Sequence, residues 1–129
     1  SEARTLEIIF PEEENEIDAS ILSFSGFDNI SYISSNIVLY FDIIKNSNGN
    51  IEFLLKVSSP KYIEDVDLVL KIGNIEKKFF IKKLSPFEIF EKKENLIFGE
   101  KGIYKPKFKI IKNGEIIESF EIIKKIMIN

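Results

Sequence analysis

The chain contains no histidine and no cysteine, and those two absences decide most of the chemistry open to it. Histidine is the usual general base near neutral pH and the commonest nitrogen ligand for metals. Cysteine supplies the thiolate for nucleophilic attack, zinc binding and disulfides. Ser-His-Asp and Cys-His catalysis, and His- or Cys-based zinc sites, are therefore excluded. No Gly-rich phosphate loop occurs either. Carboxylates are plentiful at 21, but no two stand out as the flanking pair that glycoside hydrolysis needs. The expectation is a protein that is not an enzyme and uses no cofactor.

Polar features that could bind something remain. Glu12, Glu13, Glu14, Glu16 and Asp18 could offer oxygens to Ca²⁺, yet they lack the alternating Asp and central Gly of a calcium loop. They read as a solvated acidic loop, and no metal is expected. Lys105, Lys107 and Lys109 form a stripe that, with Lys77, Lys78, Lys82 and Lys83, could meet phosphate or an anionic surface. Stacking aromatics are not interleaved with these lysines and the net charge is −3, so nucleic acid is not expected. Lysines on an outward strand face also protect sheet edges from aggregation, and that reading is preferred here. Tyr32 and Tyr62, near loops, are the aromatics placed to act as a sugar platform; there is no Trp.

The elements that carry these residues follow from periodicity. Residues 4–10 read as a first strand stopped by Pro11, and 19–24 as a short second one. Residues 37–45 place Ile37, Leu39, Phe41 and Ile43 on one face. Residues 51–57 do the same with Ile51, Phe53, Leu55 and Val57, across a five-residue loop at 46–50. Residues 66–72 alternate again, and Gly73-Asn74 predicts a two-residue type II′ or I′ turn into 75–83. The stretch 87–98 is less regular, with spacing at 87–90 that also suits one helical turn. Residues 103–112 put Tyr104, Pro106, Phe108 and Ile110 on one face and the three lysines on the other. Asn113-Gly114, a strong type I′ hairpin signal, leads into 115–123, which should carry Ile116, Phe120 and Ile122 inward. No amphipathic helix of ten or more residues is present. Length and patterning predict a single domain over 1–129, all-β, with residues 1–35 packing as N-terminal strands and loops on an antiparallel sandwich of about seven to nine strands.

The segment Glu100-Lys101-Gly102-Ile103-Tyr104-Lys105-Pro106 resembles the F-strand signature of the immunoglobulin fold, acidic-x-Gly-x-Tyr-x-Cys. The resemblance spans about residues 36–123 and implies an immunoglobulin-like β-sandwich in which Gly102 and Tyr104 build a tyrosine corner. Pro106 stands where antibody-type domains have Cys, and the core Trp is missing, so the module is expected to lack the disulfide. The turn after Lys45 is similar to one in many bacterial and archaeal envelope sandwiches. Such folds serve mostly as spacers, adhesion modules, assembly subunits or binding domains.

Apolar residues also fall on faces that should be wet. Val38, Tyr40, Ile44, Phe80, Ile117 and Ile123 would sit outward, as a candidate interaction surface together with Lys105, Lys107 and Lys109. Either a long N-terminal segment covers them or a partner chain does. Charge is uneven as well: residues 1–65 carry 12 acids and 4 bases, residues 66–129 carry 9 acids and 14 bases. The expected function is a structural or protein-interaction module, the soluble domain of an envelope or surface-assembly protein, self-associating (a homodimer is one form) or binding a protein partner. The alternative is a domain that binds a glycan, ion or small protein through its loops. No run of 18 apolar residues spans a membrane here. The start at Ser1 leads to the expectation that a signal or anchor was removed or the chain trimmed. An extracytoplasmic setting follows from that, with the cytoplasm as the alternative.

Overall fold

Alternation along the chain becomes ten antiparallel strands in a computed structural model that describes residue 27 and residues 29–129. They are β1 (Tyr32–Ile33), β2 (Val38–Ser47), β3 (Asn50–Ser58), β4 (Ile63–Ile72), β5 (Ile75–Leu84), β6 (Phe90–Ile97), β7 (Gly102–Tyr104), β8 (Lys107–Lys112), β9 (Glu115–Glu121) and β10 (Ile126–Ile128). One sheet has the order β1-β2-β3-β6, a second β5-β4-β8-β9, and β7 pairs with β10 alone. No helix among the described residues is long and apolar enough to cross a membrane. The strands anticipated at 4–10 and 19–24, the acidic run at 12–18 and most of the N-terminal packing lie outside the described residues.

Three hairpins rest on backbone that only certain residues adopt cheaply. Ser47 pairs with Asn50, so the connection between β2 and β3 is the two-residue turn Asn48-Gly49, shorter than the expected five. Both turn residues have positive φ, 52° and 88°, as a type I′ turn demands. Asn113-Gly114 repeats this, with φ of 53° and 79°. At Gly73-Asn74 only the glycine is left-handed, φ 60°, which is the II′ pattern.

Two expected elements are different in kind. No helical turn forms at 87–90, and most of the irregular stretch at 87–98 is the strand β6 (Phe90–Ile97). Before it, the Glu88 N–H donates to the Ser85 carbonyl at 3.0 Å, closing a turn with Pro86 second and Phe87 third. Phe87 carries a φ of 66° at a position that favours glycine. Its ring packs with Val38, Phe27 and Ile89, and that burial offsets the strain. The single strand expected at 103–112 is broken at Lys105-Pro106. Proline has no N–H to donate, and the chain changes sheets there: β7 joins β10, β8 joins β4 and β9.

The two four-stranded sheets bury one shared core in a sandwich-like arrangement. Leu39, Phe41, Phe53 and Leu55 face Leu68, Leu70, Phe79, Phe108 and Ile110. Aromatic rings run through it in a continuous chain. Phe79 meets Phe53 edge-on at 6.2 Å, Phe53 meets Phe41 at 5.3 Å, and Phe41 meets Phe108 edge-on at 5.8 Å. Phe108 stacks on Phe120 at 5.4 Å and Phe120 on Tyr32 at 3.6 Å.

Tyr32 is where that chain reaches the rim. Its hydroxyl donates to a Glu118 carboxylate oxygen, and the Asn36 side-chain amide donates to the other at 3.2 Å. The short edge strand β1 is thereby latched to β9 of the opposite sheet. Burial, reinforced by the hydrogen bond to Glu118, pushes the Tyr32 phenol from 10.0 up to about 12. A phenol with a raised folded value stabilises the fold fully below the unfolded value and loses that contribution as pH climbs through the folded one. The latch is therefore intact below pH 10.0 and fails on the way to about 12. In an alkaline absorbance titration, Tyr32→Phe should remove the last tyrosinate step and leave the earlier ones. Loss of an early step instead would place Tyr32 in water.

Candidate functional site

Of the two outer faces, the one on β5-β4-β8-β9 is the more unusual. Its rows can be read from the register. Glu76, Lys71, Lys107 and Glu121 form one; Lys78, Val69, Lys109 and Ser119 the next; Phe80, Asp67, Ile111 and Ile116 a third. Lys107 and Lys109 of the lysine stripe lie on β8, which has a strand on each side. Protection of a sheet edge therefore cannot explain Lys107 and Lys109. It does suit Lys77, Lys78, Lys82 and Lys83, which lie on the edge strand β5.

Five lysines line one hollow of about 630 Å³: Lys71, Lys105, Lys107, Lys109 and Lys125, against Tyr104, Ile103 and Gly73. Lys71 and Lys107 are directly opposite each other, and like charges so placed repel. Glu76 and Glu121 flank that row in register, but the ion pairs among the described residues are Lys77–Glu94 at 3.3 Å and Lys124–Asp42, both elsewhere. The Lys124 ammonium bonded to Asp42 holds that carboxyl below its ordinary value. Val69 belongs to the same outer face yet is 5% exposed. Its register neighbours are Lys78 and Lys109, which are placed to cover it with their hydrocarbon stems, as long basic side chains do on a sheet face.

Tyr104 forms the wall of the hollow. Its hydroxyl donates to the Glu100 carbonyl at 2.8 Å, and its ring lies 4.9 Å from that of Phe98. A methyl group at Gly73 would stand 2.8 Å from Tyr104 Cε1, so the ring crosses directly over the β4–β5 turn. Gly102, with φ of 152°, brings the backbone past the other edge of the ring. One tyrosine thus ties the connection from β6 to β8 onto a distant hairpin.

The expected apolar surface is not one surface. Val38 is 0% exposed and is no part of an outer patch: Phe27, Ile30, Ile33, Phe87 and Ile89 cover it on the outer side of β2, with Tyr40 half-buried beside it. Tyr40 donates its hydroxyl to Asp42 at 3.1 Å. Ile44 is the additional residue of a β-bulge between Ile43 and Lys45, and Ile117 the additional residue of another opposite Ile110/Ile111. That second bulge turns Ile116, expected inside, outward to 56% exposure, matching Phe80 at 56%. Ile117 lines a small notch with Tyr62, Ile63 and Val66, and Ile123 lies past β9, 90% exposed. Exposed Ile97 and Ile103 escaped sequence reasoning as surface residues, while Met127, in an apolar tail the sequence does mark, is exposed opposite Ile103 on β10 and β7. Of the two aromatics considered for sugar, Tyr32 is stacked inside the latch, while Tyr62 is exposed and donates to Glu64 at 2.7 Å.

The chain matches no protein-family model, no curated protein and no solved structure in the comparisons made. Two substitution series test the site as described. Tyr104→Phe, which keeps the ring and deletes the bond to Glu100, should cost about 1 kcal/mol in chemical denaturation. Gly73→Ala should cost more, because a left-handed backbone and the Tyr104 ring both oppose the methyl group. Lys109→Met should leave stability unchanged or raise it slightly, whereas Lys109→Ala, which uncovers Val69, should lower it by about 0.5 kcal/mol. Equal effects of Met and Ala would show that charge, not the stem, is what matters there.

Proposed function

We propose that this chain is a non-catalytic interaction module of the immunoglobulin-like sandwich type, joining a second copy of itself through the outer face of β5-β4-β8-β9. Three features support the fold reading. The chain leaves the first sheet after the β2–β3 hairpin, builds the β4–β5 hairpin in the second, returns for β6 and crosses again to β8–β9. That alternation between layers is how Greek-key sandwiches are connected. The Tyr104 hydroxyl reaches a carbonyl four residues upstream, the bond a tyrosine corner makes. The broken strand at Pro106 sits where a disulfide-bearing relative would place its Cys.

The interaction reading is carried by one observation: Phe80 and Ile116 are both exposed, at the two ends of an outer row whose inner members are Asp67 and the half-buried Ile111. Apolar side chains grouped on an outer sheet face gain by being covered, at roughly 25 cal/mol per Å² removed from water. The bulge at Ile117 and the lysines of β5 discourage pairing at the sheet edges, which leaves face-to-face contact as the favoured mode. A loop-borne ligand site has less support, since the notch beside Tyr62 encloses only about 190 Å³, below the usual range for small-molecule pockets.

Sedimentation equilibrium over a concentration series is the direct test. The wild-type chain should associate reversibly, and Phe80→Lys combined with Ile116→Lys should weaken that association at least about tenfold while leaving the thermal midpoint nearly unchanged. A wild-type chain that stays strictly monomeric up to about 1 mM would overturn the reading.

A further inference from the structure

We infer that the lysine-lined hollow is the docking site for residues 12–18 of a second copy of this chain. The inference rests on the self-association proposed above and names the segment and the site that carry it. Lys107 and Lys109 alternate along β8, so their side chains leave one face about 6.8 Å apart, and Lys105, in the break before β8, lines the same hollow. Glu12, Glu14, Glu16 and Asp18 alternate in the same way. An extended segment would present these four carboxylates with the same repeat. Lys71 stands across from Lys107, and Lys125 completes the rim. A ladder of carboxylates there would offset the repulsion between Lys71 and Lys107 that the chain by itself leaves in place.

Two further observations choose this occupant. Nearly all the acidic excess of the protein lies in the half that holds residues 12–18, and the basic excess in the half that holds the hollow. The described fold begins at Phe27, which is buried against Val38 and lines a recess with Tyr40, Leu54 and Lys56. That recess opens on the outer side of β2 and β3, the face turned away from the lysines. A neighbouring copy supplies the segment with no need for the chain to pass around its own core. When two copies each seat their segment in the other's hollow, the contact forms twice about a two-fold axis, in keeping with the face-to-face association proposed above; a one-way contact would instead close a ring or propagate a filament. A nucleic acid is a poorer fit, because the one ring in the hollow, Tyr104, is already committed to Gly73 and Phe98.

The full-length chain, compared in about 50 mM and about 500 mM NaCl, provides the test by sedimentation velocity. Reversing the hollow (Lys105→Glu, Lys107→Glu, Lys109→Glu) or reversing the segment (Glu12→Lys, Glu14→Lys, Glu16→Lys, Asp18→Lys) should each weaken self-association at least about tenfold. Mixing the two reversed proteins should restore it, since each then offers the complement of the other. A synthetic peptide of residues 11–19 should compete with wild-type association, and this arm requires no variant to fold. The docking inference is overturned if association is unchanged in both reversed proteins, or if the peptide at about hundredfold excess leaves it intact. Should the Phe80/Ile116 variant still dissociate in that case, the broader reading survives and only the docking site falls. Restoration by polyphosphate instead of the partner variant would likewise exclude the segment and assign the hollow to a phosphate polyanion. A monomer under every condition would overturn both.

Discussion

Everything else in this structure depends on the line of aromatic rings from Phe79 to Tyr32. It passes from β5 to β3, along to β2, across to β8, on to β9 and back to β1, so it crosses between the layers three times. Each ring pair contributes about 0.5–1.5 kcal/mol beyond the area it buries. The crossings also fix how the sheets sit on one another, because an edge-on contact tolerates little sliding in a close-packed core. With no disulfide and no core tryptophan, these contacts and the surrounding Ile, Leu and Val carry the cohesion between layers. The Glu118 latch ends the line with a polar contact at the rim, where the Tyr32 ring is only half-buried.

Two β-bulges then determine which apolar residues face outward. A bulge places two residues of one strand against one of its partner, and from there the alternation changes phase. Ile43-Ile44 and Ile116-Ile117 are both doublets at such points. Part of the apolar excess on supposedly wet faces is therefore the signature of the bulges themselves. The rest divides between Val38, which the chain covers with Phe27 and Phe87, and the row of Phe80, Ile111 and Ile116, which stays accessible.

Charge is arranged on the same outer face but toward the opposite end from that row. Lysines crowd around Tyr104 because β4, β8, the Lys105-Pro106 break and the segment after β9 all converge there. Like charge gathered on the interior strand of a sheet is a local cost with no structural return visible among the described residues. Cost of that kind is where function is usually found.

The sequence by itself determined the all-β character, most of the long strands, the two-residue turns at Gly73-Asn74 and Asn113-Gly114, and the lack of any residue for His- or Cys-based chemistry. These are local properties: alternation and turn geometry depend on neighbours within a few residues. It also placed Lys105, Lys107 and Lys109 on one face and Phe108 and Ile110 on the other. What tertiary structure alone decided is which strands become neighbours. The pairing of β7 with β10, the interior position of β8, the cover over Val38 and the phase changes at Ile44 and Ile117 all result from competition for burial between segments far apart in the chain. Lys71 and Lys125 entered the hollow by that route, and no local pattern marks Lys125. Tyr104 shows both halves together: its motif was legible, but that its ring would rest on Gly73, some thirty residues upstream, followed only once both sheets had closed on the core.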